Sequence, residues 1–214
     1  MIFRKRTDNI WENISDLMTG LMIVFIFVCL SFLFQINHNR QNYNMIHDQI
    51  YKDLQKEFKP EEMARWGTNI NPKTLTVSFY EPRVYFGTND ATVNPEFQKV
   101  LQEFFPRYVK VVQQYDDIVE VRIEGNASLE WNGDVKSKEA YFYNMKLSQD
   151  RAFNVLQYVY AMESMQGERD WLIAKLRANG ASYSNANENV SASRCVEISI
   201  KRDTEQYLGV GEKE

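Results

Sequence analysis

One uninterrupted apolar run dominates the pattern of this chain, Leu17 to Phe34 (LMTGLMIVFIFVCLSFLF). It approaches the roughly 20 residues that a helix needs to cross a bilayer. The run lacks a small-residue A-x-A cleavage pattern and passes into Gln35-Ile36-Asn37. It therefore reads as an uncleaved anchor and not as a signal peptide. Arg4, Lys5 and Arg6 precede it, so the positive-inside rule places the N-terminus in the cytoplasm. Everything past about residue 37 then lies outside, which in a bacterium is the periplasm. Trp11 suits an interfacial aromatic anchor. The expected layout is a tail over 1–13, a membrane helix over 14–36, a helical linker over 37–65, a folded domain over 66–205 and a tail over 206–214.

Beyond the membrane run the period changes. Tyr43, Ile46, Ile50, Leu54 and Phe58 recur at steps of three and four, an amphipathic helix stripe. One narrow stripe has two outlets: pairing with a second copy of itself, or packing on the domain that follows. Thr74–Tyr80 alternates as a strand does, and Val84–Phe86 predicts a short second one. Pro95 suits a helix start, with Phe97, Val100, Leu101, Phe104, Phe105, Tyr108 and Val112 on one face. Pro106 is expected to kink that helix or divide it. Ile118–Glu124 is a strand, and Gly125–Tyr143 a polar loop. Helices follow over Leu147–Met162 and Glu168–Ala178, the second closed by Gly180 as its C′ residue. A Ser/Asn-rich loop over Ala181–Ser193 leads to a last strand, Val196–Ile200. The order β-α-β-α-(α)-β predicts an α/β domain, a mixed sheet covered by helices on one face.

Composition narrows the reading little further. The 214 residues carry a net charge of −4, which gives no basic footprint for nucleic acid. The two cysteines, Cys29 in the apolar run and Cys195 near the end, show no disulfide or zinc spacing. His38 and His47 read as solvated linker residues. No P-loop, dinucleotide fingerprint or nucleophile–base pattern points to an enzyme or to a bound cofactor.

Candidate chemistry starts at the mouth of the apolar run. Ser15, Asp16, Thr19, Gly20 and Ile23 share one side of a helix. A carboxylate costs about 2.5–3.5 kcal/mol at the centre of an isolated membrane helix. Small residues beside it admit a neighbouring helix closely. Asp16 is then either a partner-facing ion site, with Thr19 supplying a hydroxyl, or a headgroup-level carboxylate favoured by the helix dipole.

These residues carry a resemblance. Trp11…Ser15-Asp16-Leu17-Met18-Thr19-Gly20-Leu21-Met22 and the aromatic-rich run after it look like the N-terminal segment of MotB-type stator subunits. The resemblance implies that Asp16 carries a translocated proton, or a sodium ion. It implies as partners a multi-span MotA-like subunit, ringed around two copies of this chain. The flagellar continuation after the aspartate is missing, since Leu17 and Leu21-Met22-Ile23-Val24-Phe25 stand there. The short chain and the SDLMTGLM segment look most like the MotB-like subunits of Zorya anti-phage defence systems, so a motor in defence is the expectation. A flagellar stator subunit and a passive wall anchor are the rivals.

A second motif lies further on. Asn144-x-x-Leu147-Ser148-x-x-Arg151-Ala152 is similar to the N-x-x-L-S-x-x-R-A signature of OmpA-like peptidoglycan-binding domains. Val121-Arg122-Ile123-Glu124-Gly125-Asn126-Ala127 resembles that family's strand into G-H-[TA]-D, and Arg194-Cys195-Val196-Glu197-Ile198 its late strand. The resemblance implies an OmpA-like periplasmic domain that holds peptidoglycan through Asn144, Leu147, Ser148, Arg151 and Arg194. Ser148 is expected to cap the second helix. Arg151 would then lie in its first turn, as a carboxylate receptor or in a surface salt bridge. The family's histidine and aspartate are Asn126 and Ser128 here, with Glu130 and Asp134 as nearby acids in a loop that also holds Trp131 and Gly133.

Overall fold

In a computed structural model of the chain, the described residues are 3–80, 86, 89–127, 138–182 and 195–203, with side chains from residue 11 onward. The chain divides into two compact units, Met1–Met45 with Thr204–Glu214, and Ile46–Asp203. Helix α1 spans Phe3–Glu57 and supplies the described part of the first unit. No proline or internal glycine other than Gly20 interrupts it. Two hydroxyls in its apolar stretch bond back one turn, Thr19 Oγ1 to Ser15 O at 2.8 Å and Ser31 Oγ to Phe27 O at 2.9 Å. Such bonds satisfy a polar group where no water is available. Among the described residues this is one helix long and apolar enough to cross a membrane. It begins well before residue 14, so the expected N-terminal tail is helical from Phe3.

The second unit begins at Ile46 and not at Trp66. Ile50, Leu54 and Phe58 are almost wholly buried in its core, so the stripe is used up by its own domain. Polar ties accompany this packing. His47 Nε2 lies 2.8 Å from Pro72 O in an exposed contact, so His47 belongs to this unit and not to a linker. Tyr115 donates to Asp53 Oδ2 at 2.6 Å, which holds that carboxyl below its ordinary range. Arg107 reaches Glu57 Oε1 at 2.7 Å and Glu62 Oε1 at 3.2 Å. It also donates to the Glu57 carbonyl, and its guanidinium lies 4.9 Å from the Phe58 ring centre.

Helix α2, Pro60–Trp66, ends at Gly67, whose φ of 62° is the left-handed turn a glycine tolerates. Strands β1 (Thr68–Ile70) and β2 (Val77–Phe79) form a hairpin. The expected strand over Thr74–Tyr80 is therefore shorter. Asn71 N–H donates to Thr76 O, Leu75 N–H donates to Asn71 O, and Leu75 turns with φ 55°. Strand β1 is too short for an alternation to show in sequence. Of the second strand expected over Val84–Phe86, residues 84 and 85 lie outside the described residues.

Helix α3, Pro95–Val112, is capped by Asn94 Oδ1, which accepts from Phe97 N–H at 2.7 Å. It runs through Pro106 as one helix. Phe104 and Phe105 before the proline and Tyr108 and Val109 after it are all buried. Packing on both sides offsets the missing hydrogen bond. Tyr108 is wholly buried and its hydroxyl has no partner among the described residues. An unmade hydrogen bond of that kind costs about 1–3 kcal/mol. Tyr108→Phe is therefore expected to leave the unfolding midpoint unchanged or raise it, as thermal melts would read; a clear fall would mean that the hydroxyl is satisfied.

Strand β3 covers Ile118–Gly125, helix α4 Lys138–Ala161, and a 3₁₀ turn Glu163–Glu168 leads to α5, Arg169–Lys175. Leu176–Gly180 is then strand β4, a correction to the helix expected through Ala178. It pairs in parallel with β3, Val121 opposite Leu176 and Gly125 opposite Gly180. Only that long-range ladder decides between strand and helix for so short a segment. Strand β5, Val196–Arg202, lies between β2 and β3, antiparallel to both. The sheet order is β1-β2-β5-β3-β4. Val77, Phe79, Val121, Ile123, Val196 and Ile198 are buried on the helix-covered face. The other face carries a polar row, Asn69, Ser78, Glu197, Glu124 and Asn179 by register.

Candidate functional site

Two groups of residues need a place in the structure. On α1, Ser15, Asp16 and Thr19 are exposed along the helix. The Thr19 hydroxyl gives its proton to Ser15 O, so only its lone pairs are left for Asp16 or an ion. The Asp16 carboxylate has no hydrogen-bond or ion-pair partner among the described residues.

The second group is built around α4. This helix starts at Lys138, inside the segment expected to be loop, so Ser148 is interior and does not cap it. The Ser148 hydroxyl is fully buried. It donates to Met145 O and accepts from Ser182 N–H, both at 2.9 Å. Arg151 likewise lies in mid-helix and is 2% exposed, so it is neither in the first turn of the helix nor on the surface. Its Nε donates to Asp90 O and its Nη1 to Asn126 O, each at 3.0 Å. The guanidinium stands 5.1 Å from the Phe86 ring centre.

The sheet comes to this point through two glycines. A Cβ on Gly125 would lie 2.1 Å from Ser148 O, and one on Gly180 2.7 Å from Ser148 Oγ. Gly180 is thus required by close approach of α4, and not as a helix C′ residue. Gly125→Ala is expected to cost about 3 kcal/mol or more, read as a lowered denaturant midpoint, because a backbone carbonyl cannot swing aside. A wild-type midpoint would mean that α4 sits further from β3.

Past Gly125, Asn126 N–H donates to Cys195 O at 3.0 Å and Ala127 N–H to Ser182 O at 2.8 Å. Asn126 Nδ2 lies 3.4 Å from Cys195 Sγ. Burial, helped by the Glu197 charge, pushes the Cys195 thiol up to about 12, so it is inert at neutral pH. Two further polar atoms complete the cluster, Asn144 Nδ2 and Ser182 Oγ. Both are buried and neither has a partner among the described residues. Leu147 beside them is half-buried. The structure thus brings Ser148 and Arg151 to the C-terminal ends of the parallel strands β3 and β4, where open α/β sheets receive ligands, with Asn144 buried one turn before Ser148 on α4. Arg194, Ser128, Glu130, Trp131, Gly133 and Asp134 lie outside the described residues.

Sequence reading missed Asp90, Phe86 and Ser182 as neighbours of Arg151 and Ser148. Only the left-handed turn at Ser182, φ 54°, sets it apart, and serine does not announce that in sequence. Gln149 was missed too. Its side-chain amide accepts from Gly180 N–H at 2.7 Å and donates to Ala178 O at 3.4 Å, closing the outer edge of β4 as a strand would.

The described chain thus joins one helix long and apolar enough to cross a membrane to an α/β domain whose mixed sheet carries a buried arginine on the helix between its two parallel strands. The chain is 38% identical over 193 residues to the Zorya protein ZorB of Escherichia coli, an overlap of 86% of this chain and 81% of that one. It belongs to the ZorB family of Zorya proteins. No protein-family model matches it. Similar solved structures include the OmpA-like domain of FopA1 from Francisella tularensis, at 24% identity and TM-score 0.41 over 63% of this chain and 80% of that one. The cell wall anchor of the T6SS from Pseudomonas aeruginosa is 21% identical, with TM-score 0.46 over 70% and 97%.

Proposed function

We propose that this chain is a non-enzymatic, ion-conducting motor subunit of the bacterial inner membrane. Its N-terminus is cytoplasmic, it crosses once, and its α/β domain holds peptidoglycan in the periplasm. Two copies place their Asp16 helices inside a ring of a multi-span MotA-like partner. A proton, or a sodium ion, loads Asp16 from one side and leaves to the other, and the work serves defence against phage. The observation that carries this reading is Asp16 itself, a carboxylate with no partner among the described residues, at the entrance of the helix of membrane-crossing length. Membership of the ZorB family supports it.

The wall-binding half rests on the buried polar cluster. Asn144 Nδ2 is a buried donor without an acceptor among the described residues, on the same helix as Arg151, and a wall-peptide carboxylate would supply what it lacks. Co-sedimentation of the detergent-solubilised chain with purified sacculi tests this. Wild type is expected in the pellet. Asn144→Leu, which keeps the volume and removes the donor, is expected to fall about tenfold in affinity, a 1.4 kcal/mol loss. Wild-type sedimentation by a folded Asn144→Leu variant would remove this site from wall binding.

A further inference from the structure

Asparagine followed by glycine is the pair in which a chain most readily attacks itself. The glycine nitrogen reaches the carbonyl carbon of the asparagine side chain, because no Cβ on the glycine stands in the way. The sequence holds two such pairs, Asn132-Gly133, outside the described residues, and Asn179-Gly180 at the end of β4. The Asn179 side chain is exposed, which gives water access to it. Ring closure requires Asn179 to turn about its own ψ, away from the extended value of a parallel strand, until Gly180 N faces Cγ.

Among the described residues, one side chain holds Asn179 from the outer edge. Gln149 Oε1 accepts from Gly180 N–H at 2.7 Å, and Gln149 Nε2 donates to Ala178 O at 3.4 Å. These are the two peptide groups that flank Asn179, so a single amide fixes both of its backbone dihedrals. The first bond also engages the proton of the nitrogen that would attack. Gln149 is carried to this point by α4, which lies so close that a Cβ on Gly180 would fall 2.6 Å from Gln149 N. From the inner side, Asn179 lies opposite Glu124 of β3, and Gly180 opposite Gly125.

We propose that Asn179 is a self-modification site held shut by Gln149. When the clamp opens, Gly180 N bonds to Asn179 Cγ, the Cγ–Nδ2 bond breaks, and ammonia leaves with the proton from Gly180 N. Water then opens the succinimide at either carbonyl, giving aspartate or isoaspartate, with no change of oxidation state. Both products disturb the strand. Aspartate sets a second carboxylate beside Glu124, and the like charges repel. Isoaspartate adds a backbone atom next to Gly180, where α4 leaves no room even for a Cβ, and so displaces the part of α4 that carries Ser148. This lies beyond the motor reading and does not depend on it.

The test incubates the full chain in detergent micelles at mildly alkaline pH. Proteolysis and mass spectrometry follow isoaspartate at position 179, with the chain unfolded in denaturant as the reference. Wild type is expected to convert at least about tenfold more slowly than the unfolded chain, and Gln149→Met about tenfold faster than wild type, as the loss of two ordinary hydrogen bonds implies. Gln149 is exposed on α4, so the substitution leaves the core intact. Gln149→Glu keeps the acceptor for Gly180 N–H and should stay within about twofold of wild type. Asp117→Ala breaks a buried ion pair with Arg202 but keeps the clamp, and it too should convert slowly. Equal rates in wild type and Gln149→Met would overturn the proposal. So would equal acceleration by Asp117→Ala, since opening of the whole domain would then set the rate. Wild type converting as fast as the unfolded chain would overturn it as well.

Discussion

Asp16→Asn is expected to abolish protection against phage in a host carrying the intact gene cluster, at wild-type membrane levels of the protein. The substitution keeps the shape and hydrogen-bonding reach of the side chain. It removes the one property an ion carrier needs, a charge that can be neutralised and restored. A membrane field moves such an equilibrium by about 2.3 kcal/mol per charge per 100 mV, and an amide does not respond to it. Thr19 cannot stand in, because its proton is committed to Ser15 O. Asn is also less costly than Asp⁻ in an apolar setting, so insertion should not suffer. The readout is plaquing efficiency, with immunoblots of the membrane fraction and co-purification of the proposed multi-span partner as controls. Plaquing equal to wild type would leave a passive wall anchor as the surviving reading.

The second large effect concerns stability. Asp117 and Arg202 form an ion pair at 2.6 Å, with side chains 8% and 2% exposed. Asp117 lies in the turn before β3, and Arg202 ends β5. Asp203 N–H also donates to Asp117 O at 2.7 Å, so the last described strand is clipped to this turn twice. Asp117→Ala leaves a guanidinium buried without its carboxylate. Breaking a buried pair from one side costs about 3–5 kcal/mol, mostly the penalty of the stranded charge. For a domain of this size that is a fall of roughly 6–20 °C in melting temperature. The double variant Asp117→Leu with Arg202→Met, which removes both charges, should recover much of it. If the single variant melts within a degree or two of wild type, water reaches Arg202 and the pair is not sealed.

What the sequence determined by itself was everything local and periodic. The long apolar helix followed from a continuous apolar run. Helix α3 and strand β3 followed from apolar residues at steps of three and four, and of two, each long enough to leave one reading. The motif on α4 and the aspartate on α1 were legible because side-chain type and spacing carry them directly. Tertiary structure decided the rest. Residues 46–58 read as a linker because a stripe does not say what covers it. Only the fold shows Ile50, Leu54 and Phe58 in their own domain, with Arg107 from α3 beside them. Strand β4 read as helix because five residues hold no period of their own, and its ladder partner β3 is far away in sequence. Ser148 and Arg151 read as a helix start because capping residues and interior hydroxyls look alike in sequence. The close approach of Gly125 and Gly180 to α4 makes them interior, and it leaves Asn144 Nδ2 buried with its hydrogen bond unmade among the described residues. That depends on distances between segments, which no local pattern encodes.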